Sequence, residues 1–89
     1  LNPRQPEALL GLAQVAYAAG DSAAAAGYYE RALEAHPAAG VAKTLGAIRL
    51  YRLNDRAGAR AAFSRALALS SPDDPEASDL RALIDGLKR

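Results

Sequence analysis

The stretch Gly20-Asp21-Ser22-Ala23-Ala24-Ala25-Ala26-Gly27-Tyr28-Tyr29-Glu30-Arg31-Ala32-Leu33 decides the reading of this chain, because its pattern returns 34 residues later. Gly20-Asp21 is answered by Asn54-Asp55, Ala25 by Ala59, Tyr29 by Phe63, and Arg31-Ala32-Leu33 by Arg65-Ala66-Leu67. Further out, Tyr17 is matched by Tyr51 and Pro3 by Pro37. Residues 3–36 laid on 37–70 without a gap give 10 identities. A fixed period of this size marks a stacked-repeat architecture, in which one unit cannot bury its apolar face alone. Such a stack offers surface to partners, which already points away from an enzyme.

Within each unit the signals are those of a helical hairpin. Pro6 suits the first turn of a helix running to about Ala19, with Leu9, Leu12, Ala13, Ala16 and Tyr17 at three- and four-residue steps. Gly20 ends it, since a residue just past a helix often takes positive φ, which Gly adopts without strain. Asp21 and Ser22 are placed to cap a second helix, about Ala23 to Ala35, with Ala25, Tyr29, Ala32 and Leu33 on one face. Pro37 closes the unit. The second unit predicts a helix from Gly40 to about Leu53, Asn54 in the left-handed position, Asp55 as cap, and a helix from about Arg56 to Leu69. After the turn Ser70-Ser71-Pro72-Asp73-Asp74, the run Asp74-Pro75-Glu76 signals a last helix, with Ala77, Leu80, Leu83, Ile84 and Leu87 on one face. Asp79, Arg81, Asp85, Lys88 and Arg89 keep the rest of it soluble. The expectation is an all-α fold of five antiparallel helices, two hairpins and a closing helix, with no strand.

Length and charge exclude several classes. At 89 residues the chain is one small domain, and with no Cys it has neither a disulfide nor a thiolate metal site. Eleven basic and ten acidic residues are interspersed for a formal charge of +1, which leaves no electrostatic footprint for nucleic acid or an anionic membrane. No apolar run approaches the ~18–20 residues of a membrane span. The absence of Cys is compatible with cytoplasm and periplasm alike, so the compartment stays open. The chain has no Met, and Leu1-Asn2-Pro3 falls where a repeat would end. Residues 1–5 therefore read as the tail of a preceding repeat, 6–39 and 40–73 as two units, and 74–89 as a capping helix.

These residues together resemble the tetratricopeptide repeat family. Leu12-Ala13 occupies the small-residue step of the first helix and Gly20-Asp21 the turn, and Ala25, Tyr29, Ala32-Leu33 and Pro37 follow at the family's intervals. Ala47, Asn54-Asp55, Ala59, Phe63 and Ala66-Leu67 repeat the match. The departures are Leu9 and Lys43 at the Trp-like position, Gly46 in the large apolar place with Leu45 one residue earlier, and Ser71 for the closing Pro. The resemblance implies a short right-handed α-solenoid. It also implies close helix contacts at Ala25, Ala32, Ala59 and Ala66, and places Tyr29 and Phe63 between neighbouring hairpins.

Catalysis has little to stand on. His36, the only His, lies beside Pro37 at a helix end, which fits a capping or solvated residue, and a two-His metal site is ruled out. Asp21 and Asp55 occupy equivalent turns, so repetition explains them, and Gly11, Gly20 and Gly27 lack phosphate-loop spacing. No cofactor or metal is expected. The resemblance implies instead a concave groove that takes a peptide or a partner helix. By position it comprises Glu7, Leu10, Gln14 and Tyr17, then Thr44, Ile48, Tyr51 and Arg52, then Ser78 and Ala82. The competing reading is that the tyrosines cover the hairpin core. The Lys, Arg and Asn side chains with which chaperone-binding members clamp a terminal carboxylate are replaced by Leu10, Gln14, Thr44 and Ile48.

The leading expectation is thus a non-catalytic protein–protein interaction module of a larger scaffold or assembly protein. The alternative is self-association, or a spacer role in a larger complex such as a bacterial envelope, secretion or polysaccharide-export assembly. A homo-oligomer would use the open N-terminal end around Leu1, Leu9 and Leu10. A third possibility is the regulatory part of an enzyme.

Overall fold

The computed structural model describes residues 6–71 and 73–88. The readings that rest on residues 1–5, Pro72 and Arg89 therefore lie outside the described residues. Five helices follow one another: α1 (Pro6–Ala18), α2 (Ser22–Ala35), α3 (Ala39–Tyr51), α4 (Arg56–Leu69) and α5 (Ala77–Leu87). No strand occurs among the described residues. The pairs α1–α2 and α3–α4 form hairpins, while α2 on α3 and α4 on α5 join them into a linear stack. The body measures 37 × 27 × 16 Å, and its short dimension leaves room for two helix layers. This is the helical-hairpin solenoid the repeat implied.

The core of the hairpins is built largely of small side chains. Ala13, Ala25, Ala42, Ala59, Ala62 and Ala66 have no exposed surface, and Ala32 has 1 %. Tyr29 and Phe63, equivalent in the two units, are buried beside them, with Leu33 and Leu45 the largest fully buried side chains. Gly46 explains its own departure from the repeat. A Cβ there would lie 2.7 Å from the Phe63 ring, so the ring of α4 fills the space a larger residue on α3 would need. Leu45, one residue earlier, supplies the apolar side chain instead.

The turns show how the boundaries are set. After α1, Gly20 (φ 84°) takes the left-handed position. Its N–H donates to the Tyr17 carbonyl and that of Asp21 to the Ala16 carbonyl, the paired pattern of a Schellman end. Asn54 (φ 52°) repeats the conformation after α3. There the Leu53 N–H reaches Ile48 and the Asp55 N–H reaches Arg49, so this last turn is wider and α3 stops at Tyr51, not Leu53. Asp21 and Asp55 cap α2 and α4 through bonds from Ala24 N–H (3.0 Å) and Gly58 N–H (2.9 Å).

Two expectations need correction. The last helix begins at Ala77, because Asp74 Oδ1 accepts from the Glu76 N–H and ties residues 74–76 into a turn of their own. Lys43 anchors that turn: its ammonium bonds the Glu76 carboxylate and lies 3.8 Å from Asp74. At the N-terminal end, Leu9 is 2 % exposed and Leu10 half-buried; the exposed large aliphatic side chains of α1 are Leu12 (42 %) and Val15 (69 %). Leu12 therefore sits outside the core in which the first-helix stripe had placed it.

Packing at Gly46 separates two opposing effects of adding a methyl group. Gly46→Ala improves helix propensity but meets the buried Phe63 ring, so it is expected to destabilise by about 1–3 kcal/mol. Gly27→Ala, on an exposed part of α2 with open space around it, is expected to stabilise by about 0.5–1 kcal/mol. Urea unfolding midpoints at constant slope check both.

Candidate functional site

Tyr17 ends near the last turn of α1, and Tyr51 is the last residue of α3 at the equivalent place of the next unit. The stacking of hairpins brings both onto one cleft of about 610 Å³, lined by Tyr17, Tyr29, Thr44, Ala47, Ile48, Tyr51 and Arg52. Tyr29 and Ile48 are 8 % and 5 % exposed and form its floor. Tyr17 at 40 % and Tyr51 at 73 % stand up from it. Arg52, just past α3, lies over the Tyr17 ring with its guanidinium carbon 5.4 Å from the centroid. Its Nε also donates to the Tyr17 hydroxyl at 3.1 Å. One cationic side chain thus spans the seam between the two units.

A second cleft of about 680 Å³ adjoins at Tyr51 and runs between α3 and α5, past Leu50, Arg56, Asp79, Leu83 and Leu87. Arg56 closes one side of it, donating from Nη2 to the Gly86 carbonyl at 3.3 Å.

Of the groove residues expected from sequence, Tyr17, Thr44, Ile48, Tyr51 and Arg52 come together in the first cleft and Ala82 lines the second. Glu7, Leu10, Gln14 and Ser78 line neither; Glu7, Gln14 and Ser78 are exposed, and Leu10 is half-buried against the core. Tyr29 and Ala47 are lining residues that sequence reasoning missed. The family pattern assigns Tyr29 to inter-hairpin packing, and the structure uses it for both purposes.

Behind the cleft an ion cluster fixes the seam. Glu30 of α2 accepts from Arg49 of α3 at 3.0 Å through one oxygen and from Arg65 of α4 through the other. Arg49 also reaches the Gly58 carbonyl. One carboxylate therefore ties the first hairpin to both helices of the second. Burial pushes the Glu30 carboxyl up, but the hydrogen bonds and positive charges of Arg65 and Arg49 outweigh it and hold the group below the usual carboxylate range. The 34-residue period hides this cluster, because Glu30 corresponds to Ser64 and Arg49 to Val15.

Among the described residues no group of His, Cys, Asp and Glu is arranged to hold a metal ion. His36 is exposed at the end of α2, where its N–H caps the Ala32 carbonyl. Among the described residues no helix is long and apolar enough to cross a membrane.

A tetratricopeptide repeat model matches residues 1–40 and 44–84. With this match spread over both hairpins and reaching into α5, the chain belongs to the tetratricopeptide repeat family. Repeats of this family are in general protein–protein interaction modules and typically non-catalytic. No curated protein matches the chain.

Because the folded-state Glu30 carboxyl is held below its ordinary value of 4.5, its contribution is present above that pH and is lost as pH falls through the lowered value. Glu30→Gln is therefore expected to be less stable than the unaltered protein near neutrality, with the gap narrowing on acidification. Urea midpoints of the two proteins between about pH 3 and pH 7 check this; a gap independent of pH contradicts it.

Proposed function

We propose that the cleft between α1 and α3 receives a peptide or helix of another protein, and that the chain serves as a non-catalytic interaction module in a larger scaffold or assembly protein. The observation that carries the proposal is the pair Tyr17 and Tyr51. They are equivalent in sequence, both exposed, and face one cleft whose floor is already sealed by Tyr29 and Ile48. Aromatic and Arg side chains over a packed apolar floor are the usual anchors of protein interfaces. In the core-covering alternative Tyr51 would be buried, yet it is the more exposed of the two. The adjoining cleft on α5, with Ala82 and Leu83, extends the surface available to the same partner.

A peptide selected from a displayed random library on the immobilised protein provides a ligand without knowledge of the natural one. Tyr51→Ala with Arg52→Ala is expected to weaken that peptide about tenfold or more. The helical spectrum should hold, because an exposed cation–π contact contributes only about 0.5–1 kcal/mol. Undiminished binding places the ligand on another surface.

Self-association is the second reading, and α1 supports it. Leu12 and Val15 are large aliphatic side chains exposed on α1, 42 % and 69 % respectively. Two copies that met through their α1 helices would bury these side chains against each other. Sedimentation equilibrium over a wide concentration range is expected to show a dimer that Val15→Glu converts to monomer. A single monomeric mass for the unaltered protein removes this reading.

A further inference from the structure

We infer that the cleft between α3 and α5 receives α5 of a second copy of this chain, with the two α5 helices antiparallel about a two-fold axis. This surface is separate from the α1–α3 cleft and from the exposed side chains of α1, so the inference rests on neither.

The seating of α5 leaves the surface open. Among the described residues α5 packs on α4 and not on α3, and a cleft of about 680 Å³ lies between α3 and α5. Ala77, Leu80 and Ile84 are the side chains that α5 buries. Asp79, Ala82, Leu83 and Gly86 follow at steps of three and four residues, so they share a second face of the helix. All four are exposed and all four line the cleft. Leu50 and Tyr51 of α3 and Leu87 of α5 add apolar surface to it, and its charged lining residues are Asp79 and Arg56.

Those two charges set the orientation of the occupant. Asp79 lies in the first turn of α5, whereas Arg56 donates through Nη2 to the carbonyl of Gly86 in the last turn, at 3.3 Å. Acid and base therefore stand at opposite ends of one helix face, about 10 Å apart along its axis. Among the described residues neither has an ion-pair partner. The Arg56 guanidinium keeps further donors after its bond to Gly86.

Two α5 helices laid antiparallel about an axis between Ala82 and Leu83 bring Asp79 of each copy level with Gly86 of the other. Arg56 of that other copy is bonded there, so two opposite-charge pairs form. Parallel helices would instead set acid against acid and base against base. Shape agrees with charge. In the antiparallel register Leu83 of each copy lies over Ala82 of the other, a large side chain on a small one, and open space at Gly86 lets the helices approach. One surface thus supplies both members of every pair, which is the requirement of a two-fold interface. Tyr51 borders both clefts, so a ligand of the α1–α3 cleft that runs past it contends with the second copy.

Sedimentation equilibrium of the intact protein tests this and separates it from association through α1. A monomer–dimer equilibrium is expected below about 1 mM, and Val15→Glu should leave it in place. Asp79→Arg and Arg56→Asp each set like charges together twice across the axis, and each is expected to weaken the dimer about tenfold or more. An equimolar mixture of these two variants restores both opposite-charge pairs and should dimerise as the unaltered protein does. Ala82→Arg, at an exposed position, blocks the seat of Leu83 and should also weaken the dimer about tenfold or more.

A monomer at every concentration up to about 1 mM overturns the inference, and so does a mixture that dimerises no better than its components. A dimer abolished by Val15→Glu and indifferent to the other three substitutions places the contact on α1 and overturns it as well. Should a charge variant lose its helical spectrum, Ala82→Arg decides: a dimer as strong as that of the unaltered protein overturns the inference.

Discussion

Everything in this structure depends on helices packing over a core built largely of fully buried alanines. Ala25 and Ala59, 34 residues apart, have no exposed surface, and both belong to the one core cluster. A larger side chain there would push the helices apart and change the angle at which one hairpin meets the next. That angle places Tyr17 beside Tyr51, so a constraint on side-chain size inside the hairpins becomes a constraint on the shape of the cleft outside them. The core is correspondingly poor in bulky residues, and Phe63 can enter it only because position 46 is glycine.

Between hairpins a different force takes over. The seam is held by one carboxylate shared by two guanidinium groups, with Arg52 on the Tyr17 ring at the cleft side. A half-buried carboxylate with an arginine on each oxygen is specific in direction, so it fixes how the units are rotated as well as how far apart they sit. Hydrophobic contact alone tolerates sliding. The ionic seam gives the cleft one geometry, and a pre-shaped cleft spends less of its binding free energy on ordering itself.

The period made the fold legible. Asn54-Asp55 reports a left-handed residue and a cap, and α4 starts at Arg56 and ends at Leu69 as that reading requires. What repeats can be read; what departs from the repeat is harder. Glu30, Arg49 and Arg65 belong to three helices, and two of the three have no counterpart at the matching position, so no spacing announces them. The start of α5 was misplaced because Asp74-Pro75-Glu76 carries helix-start chemistry, whereas Asp74 spends its side chain on a local turn. The cleft was half legible. Residues near the C-terminal halves of α1 and α3 converge, while Glu7, Leu10 and Gln14 lie on faces of α1 that the family pattern alone does not distinguish.

Backbone amide chemical-shift mapping with a library-selected peptide tests the central claim most directly. The account predicts that the largest changes gather on Tyr17, Thr44, Ile48, Tyr51 and Arg52. Changes confined to Leu12 and Val15 on the outer face of α1, or to the charged face of α5, would contradict it.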